Sequence, residues 1–160
     1  MEKSTPCPHC GGAIVSYANP SPTVDVIIYH PPRGVVLIER KNPPYGYALP
    51  GGFVDEGECA EAGAVREMHE ETSLTVKLTG LLGVYSDPAR DPRHHNLGLV
   101  FVGSTAHPEA LCAGDDAASA AFCPLDALPD RMAFDHRQIL EHFLEYLDGK
   151  RQLASIQYGY

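Results

Sequence analysis

The sequence predicts an α/β fold, and three observations predict it. Short runs rich in Val and Ile, bounded by Pro and Gly turns, recur through the chain as strand signals. One helical stretch lies in mid-chain, and a second, amphipathic one lies near the end. No repeat or second domain breaks the 160 residues, a length that supports one sizeable core.

The elements follow in order. Residues 1–22 hold Cys7-Pro8-His9-Cys10-Gly11-Gly12 and a Pro-rich stretch, read as a short appendage. From Thr23, the run Val24, Val26, Ile27, Ile28, Tyr29 reads as a strand, and a Pro-Pro-Arg-Gly turn links it to residues 35–38 as a hairpin. Asn42-Pro43-Pro44 breaks the chain, and residues 45–49 give a short strand ending at Pro50-Gly51-Gly52. A helix is expected over 58–72, with Glu58 in its first turn, where the helix dipole favours an acid. Residues 76–85 and 96–102 read as strands around a polar loop, 86–95. Residues 122–128 read as a short strand and turn. The last helix, 135–147, turns Ile139, Leu140, Phe143, Leu144 and Leu147 to one side. The main domain is therefore 23–148, and residues 149–160 form a tail.

A net charge of −9 argues against a nucleic-acid polymer as partner. No apolar run approaches a membrane span, no secretion signal is evident, and five cysteines do not make a disulfide framework. The expected compartment is the cytoplasm.

The chemistry concentrates between Gly52 and Leu74. On a helix, Glu67, Glu70 and Glu71 stand at i, i+3 and i+4, so their carboxylates share one face. Arg66, four residues before Glu70, is the nearby counter-charge. A merely solvated face would intersperse lysines, and residues 58–72 contain none. Crowded carboxylates repel unless a cation binds among them, and hard oxygen ligands select Mg²⁺ or Mn²⁺, ions that normally meet phosphate-bearing substrates.

This spacing resembles the Nudix hydrolase signature, G-x5-E-x7-R-E-U-x-E-E-x-G-U, with U an aliphatic residue. Gly52, Glu58, Arg66, Glu67, Met68, Glu70, Glu71 and Leu74 match, and Ser73 stands where the family has glycine. The resemblance sharpens the fold to an α/β/α sandwich with a mixed β-sheet. It implies Glu67 and Glu71 as principal metal ligands, with the backbone of Gly51 completing the site. Glu70 is implied as a further ligand, a catalytic group, or the partner of Arg66 that holds the array. Glu58 is implied as an outer ligand or helix anchor. Gly63 is expected to leave room for the diphosphate, and Val65, Met68 and His69 to lie on the opposite side toward the core, His69 as a satisfied or solvent-facing residue. Relatives carry a mobile catalytic carboxylate about where Asp115 and Asp116 stand; Asp116 is the candidate here, and an acidic turn is the alternative.

The loop with Asp87, Arg90, Asp91, Arg93 and His94 offers carboxylates for sugar hydroxyls and guanidinium groups for phosphates. Its bland reading is a solvated loop with internal Asp–Arg pairs. Its wording, with that of residues 37–45 and 49–54, resembles the ADP-ribose pyrophosphatase branch of the family. The implied function is metal-dependent hydrolysis of a nucleoside diphosphate linked to another group, ADP-ribose first, with NADH or a nucleoside triphosphate as alternatives. A nucleotide-sensing regulator built on a Nudix-like domain is the alternative from another class. A homodimer is the default among related enzymes. Cys7 and Cys10 form a C-x2-C knuckle of the zinc-ribbon type, half of a four-ligand Zn²⁺ site or a metal-free remnant.

Overall fold

The computed structural model describes residues 2–114 and 117–158. Its strands are β1 (Glu2–Pro6), β2 (Ala13–Tyr17), β3 (Ser21–His30), β4 (Gly34–Arg40), β5 (Tyr47–Ala48), β6 (Gly51–Phe53), β7 (Lys77–Tyr85), β8 (Asn96–Ser104) and β9 (Ala117–Cys123). Helix α1 spans Ala60–Thr72 and α2 spans His136–Leu147. The main sheet runs β5-β4-β3-β8-β7, with β6 added on β3 and β9 on β4. It is mixed because β3 and β8 run parallel while the other pairs are antiparallel.

β3 is covered on both faces, which explains its near-continuous apolar run. Val24, Val26 and Ile28 pack with Ala64 and Met68 of α1. Ile27 faces the other way, with Val100 and Val102, against Ile139, Leu140 and Phe143 of α2. The helix–sheet–helix sandwich follows from that alternation.

The strand pairing opens the site. β3 meets β4 only through Tyr29↔Val35 and His30↔Gly34, and its beginning pairs instead with β6, through Thr23↔Phe53, Val24↔Gly52 and Asp25↔Gly51. Between the start of β3 and the end of β4 the sheet splays, and the main cleft lies there.

Several expectations are corrected. The first strand of the main sheet begins at Ser21 rather than Thr23, and within residues 1–22 β1 and β2 form an antiparallel hairpin. α1 starts at Ala60, so Glu58 precedes the helix and accepts the Asp55 N–H at 3.1 Å. His69 is exposed to solvent, whereas Met68 is fully buried. The strand expected over 122–128 lies earlier, at β9, because pairing with β4 selects an Ala/Ser-rich stretch of weak intrinsic strand preference. Leu144 and Leu147 stay exposed, since only the Ile139–Leu140–Phe143 stripe of α2 reaches the sheet. Within the tail, Ala154 exchanges backbone hydrogen bonds with Leu81 at 2.9 and 2.8 Å. No described helix is long and apolar enough to cross a membrane.

Candidate active site

Arg66 organises the carboxylates of α1. Its guanidinium grips both oxygens of Glu58, at 3.0 and 2.9 Å, and also donates to Glu67 at 2.8 Å, Glu70 at 3.2 Å and the Phe53 carbonyl at 3.0 Å. That hydrogen bonding holds Glu58 below the usual carboxylate range. Burial raises Glu67 despite Arg66. Glu71 takes no hydrogen bond from Arg66 and, of the arginines, feels only the charge of Arg40. It accepts the Gly51 N–H at 2.9 Å, and burial, with the nearby charges of Glu67 and Asp25, pushes it up to about 7.

Glycines make this proximity sterically feasible. A Cβ on Gly52 would stand 2.4 Å from the Glu67 carboxyl carbon, and one on Gly51 would stand 2.0 Å from the Val24 carbonyl. Gly63 serves differently from expectation: a Cβ there would meet Glu58 at 2.8 Å, so it makes room for the Glu58–Arg66 pair rather than for substrate.

Glu67 and Glu71 line a cleft of about 430 Å³. Arg40 and Arg93 line the same cleft, and their guanidinium carbons lie 4.8 and 5.4 Å from the Phe134 ring centroid. Burial, and then the charge of Arg93, lowers the Arg40 pKa. Phe134 itself has φ 55°, a left-handed backbone uncommon for a bulky side chain. One cleft thus holds both acidic oxygens and guanidinium groups, a combination suited to a cation and a phosphate side by side.

The polar loop divides. Arg90, Asp91 and Arg93 line the cleft, while Asp87 is spent on the Ala89 N–H at 2.8 Å and His94 stacks on Phe53 with ring centroids 5.6 Å apart. Arg90 is not a free phosphate ligand. Its side chain is 5% exposed and is held by both oxygens of Asp135, at 2.9 and 2.8 Å. Arg93 is clamped to Asp91, leaving it 40% exposed at the rim. Asp115 and Asp116 lie outside the described residues, but Gly114 is docked on α1, its N–H 2.9 Å from the Glu71 carbonyl.

Sequence reasoning missed Asp25, Asp135 and His136. Asp25 sits in β3 among valines, is 8% exposed, and burial raises it to about 7 even with Arg90 close by. His136 accepts the Leu49 N–H on Nδ1 at 2.9 Å and turns Nε2 toward Asp25 at 3.6 Å; burial lowers it to about 3, so it stays neutral. A lone acid inside an apolar strand is the signal that points to Asp25.

Cys7 and Cys10 are unbridged in the hairpin turn. Among the described residues no group of three His, Cys, Asp or Glu is gathered closely enough to hold a metal, so nothing there completes a zinc site around the knuckle. The same holds for α1, where Arg66 occupies Glu67 and Glu70. The donor set still fits a hard divalent cation in chemistry: clustered carboxylates, one of them, Glu71, held by a backbone N–H rather than by a guanidinium.

Comparison with known proteins agrees with this architecture. The model of the NUDIX domain family matches residues 19–143. An ADP-ribose pyrophosphatase of Methanocaldococcus jannaschii is 46% identical over 135 residues, covering 83% of this chain and 78% of the relative. The NUDIX domain of Shewanella oneidensis NrtR, solved with ADP ribose, superposes with TM-score 0.69 at 26% identity, over 82% of this chain and 90% of that one. A NUDIX hydrolase of Nitrosomonas europaea shares the fold, with TM-score 0.77 at 24% identity, over 92% of this chain and 82% of that one. With the family pattern matched along most of its length and Glu67 and Glu71 of its acidic signature lining one cleft, the chain belongs to the Nudix family.

Proposed function

We propose that this protein hydrolyses ADP-ribose to AMP and ribose 5-phosphate with the help of Mg²⁺ or Mn²⁺. The observation that carries the reading is the cleft lined by Glu67 and Glu71 together with Arg40 and Arg93, in a chain 46% identical to an ADP-ribose pyrophosphatase. Glu67, Glu70, Glu71 and the Gly51 backbone would hold the cation. When bound, it supplies neutralisation of the diphosphate charge and makes water a better nucleophile.

The chain's own groups do the rest. Arg66 orients Glu67 and Glu70, the Gly51 N–H orients Glu71, and Arg40 and Arg93, which line the same cleft, bind phosphate oxygens. Water attacks one phosphorus and the bridging P–O bond breaks, giving two monophosphates. Asp116 is the candidate acceptor of the water proton. Turnover of ADP-ribose, NADH and dGTP with each cation tests the assignment. Preference for ADP-ribose in kcat/KM is the expected result; a higher value for either rival overturns it.

A further inference from the structure

Among the described residues, three buried side-chain atoms lack a hydrogen-bond partner: Thr23 Oγ1, Asn96 Oδ1 and His30 Nδ1. The first two line the main cleft. They are close in the fold, because β3 and β8 run parallel with Ser21 opposite Asn96 and Thr23 opposite Gly98. Both side chains therefore stand on the same face, two positions apart along neighbouring strands. Thr23 is 9% exposed and Asn96 is 3% exposed.

The orientation of Asn96 is fixed by its neighbours. Its Nδ2 donates to Asp91 Oδ2 at 2.7 Å, and Asp91 is held in turn by the Arg93 side chain at 2.8 Å and the Arg93 backbone N–H at 2.9 Å. A carboxylate only accepts, so the amide nitrogen must face Asp91 and the amide oxygen is the end left for another partner. Leaving a buried polar atom unmatched forfeits its hydration without return, so such a pair in a binding cleft calls for a ligand group.

The two atoms define that ligand. Asn96 Oδ1 only accepts, and the Thr23 hydroxyl both donates and accepts. A phosphate oxygen has no proton for the amide oxygen and would be repelled by it. A sugar with adjacent hydroxyls matches both: one hydroxyl donates to Asn96 Oδ1, and its neighbour accepts from Thr23 Oγ1. Resting on the ADP-ribose reading of the same cleft, we propose that Thr23 and Asn96 form a sugar-diol subsite that sets specificity for a ribose-bearing substrate.

ADP-ribose has two riboses, so the test uses its halves. Calorimetric dissociation constants of AMP and ribose 5-phosphate are measured for the wild type, Thr23→Val and Thr23→Ser. Thr23→Val is expected to weaken one of the two by about 5- to 10-fold and leave the other unchanged. Thr23→Ser, which keeps the hydroxyl, should bind like the wild type. The melting temperature of Thr23→Val without ligand should equal or exceed that of the wild type, because an unmatched buried hydroxyl is gone. Unchanged constants for both products overturn the subsite, as does a wild type that binds neither at millimolar concentration. A loss for AMP that persists equally with 2′,3′-dideoxy-AMP assigns the atoms to the base and also overturns it. None of these depends on turnover, so failure of the ADP-ribose assignment is read separately, in the kinetic comparison.

Discussion

Glu71 combines two properties a cation site needs, burial and a carboxylate that no guanidinium among the described residues hydrogen-bonds, with only the charge of Arg40 acting on it through space to offset its own. Its carboxyl rises from 4.5 to about 7 on folding, so between those pH values the native chain binds more protons than the unfolded one. Stability therefore falls as pH rises through that window and stays lower above it. Glu71→Gln should remove this penalty. In EDTA at pH 8 the variant is expected to melt above the wild type, with the gap closing toward pH 4.5. Its kcat should nevertheless fall by more than ~10²-fold at saturating Mg²⁺. Near-normal turnover would end the metal-site assignment. Arg90 and Arg93 are separated by the same kind of reasoning. Arg90→Ala strands Asp135 and Asp25 in the interior, so a stability loss of about 3–5 kcal/mol is expected by chemical denaturation. Arg93→Ala also takes a guanidinium from buried Asp91, but Asn96 and the residue-93 backbone N–H still hold that carboxylate, so it should cost less stability and instead lower kcat/KM for ADP-ribose by ~1–3 kcal/mol. Equal stability losses would mean that the two arginines serve the fold alike.

Helix α1 must hold its carboxylates in register, and its C-terminal end shows how. Ser73 adopts the left-handed conformation, φ 58° and ψ 7°, and its N–H returns to the His69 carbonyl. Glycine suits that conformation better, so Ser73→Gly should be neutral or stabilising by up to ~1 kcal/mol with activity intact. The loop before β9 caps the same end: the Cys112 N–H reaches the Thr72 carbonyl at 3.0 Å, and the Gly114 N–H reaches that of Glu71. A Cβ on Gly114 would stand 1.8 Å from the Glu70 carbonyl. Gly114→Ala is expected to cost ~1–3 kcal/mol and to depress kcat by shifting the carboxylates; unchanged kcat and melting temperature would show that the loop yields freely. What sequence conveys at this scale depends on range. The end of α1 and its carboxylate face obey local spacing rules, and both are visible along the chain. β9 is not, because alanines and serines become a strand only when β4 supplies the partner. Nor is the Asp25–Arg90–Asp135–His136 cluster, whose members meet only after β3, β8 and α2 have packed. The consequence for Arg90 is specific: in sequence it is a free cation on a polar loop, and in the fold it is a buried counter-ion.

At the scale of the molecule, the N-terminal hairpin stands apart from the catalytic body. Its two strands pair with each other and with no other strand among the described residues. Neither it nor any other residue before Val24 belongs to the hydrophobic core clusters, and Ile14, Val15 and Tyr17 remain exposed. The family match likewise begins at residue 19. Stability comes chiefly from apolar burial, so an element outside the core contributes little to it. The cleft is built from β3 onward, with Thr23 as its earliest lining residue, and owes no side chain to the hairpin. Removal of residues 1–18 should therefore leave the melting temperature within about 2 °C and kcat/KM for ADP-ribose within about two-fold of the full chain. Keeping residues 19 and 20 preserves the lead into β3, where Ser21 donates its N–H to the His95 carbonyl at 3.1 Å and helps fix the end of the polar loop. A truncation that instead lowers the melting temperature by more than about 5 °C would place the hairpin within the cooperative unit. A drop in kcat/KM at unchanged melting temperature would mean that the hairpin reaches the substrate, by closing over the cleft or by completing it in a second copy of the chain.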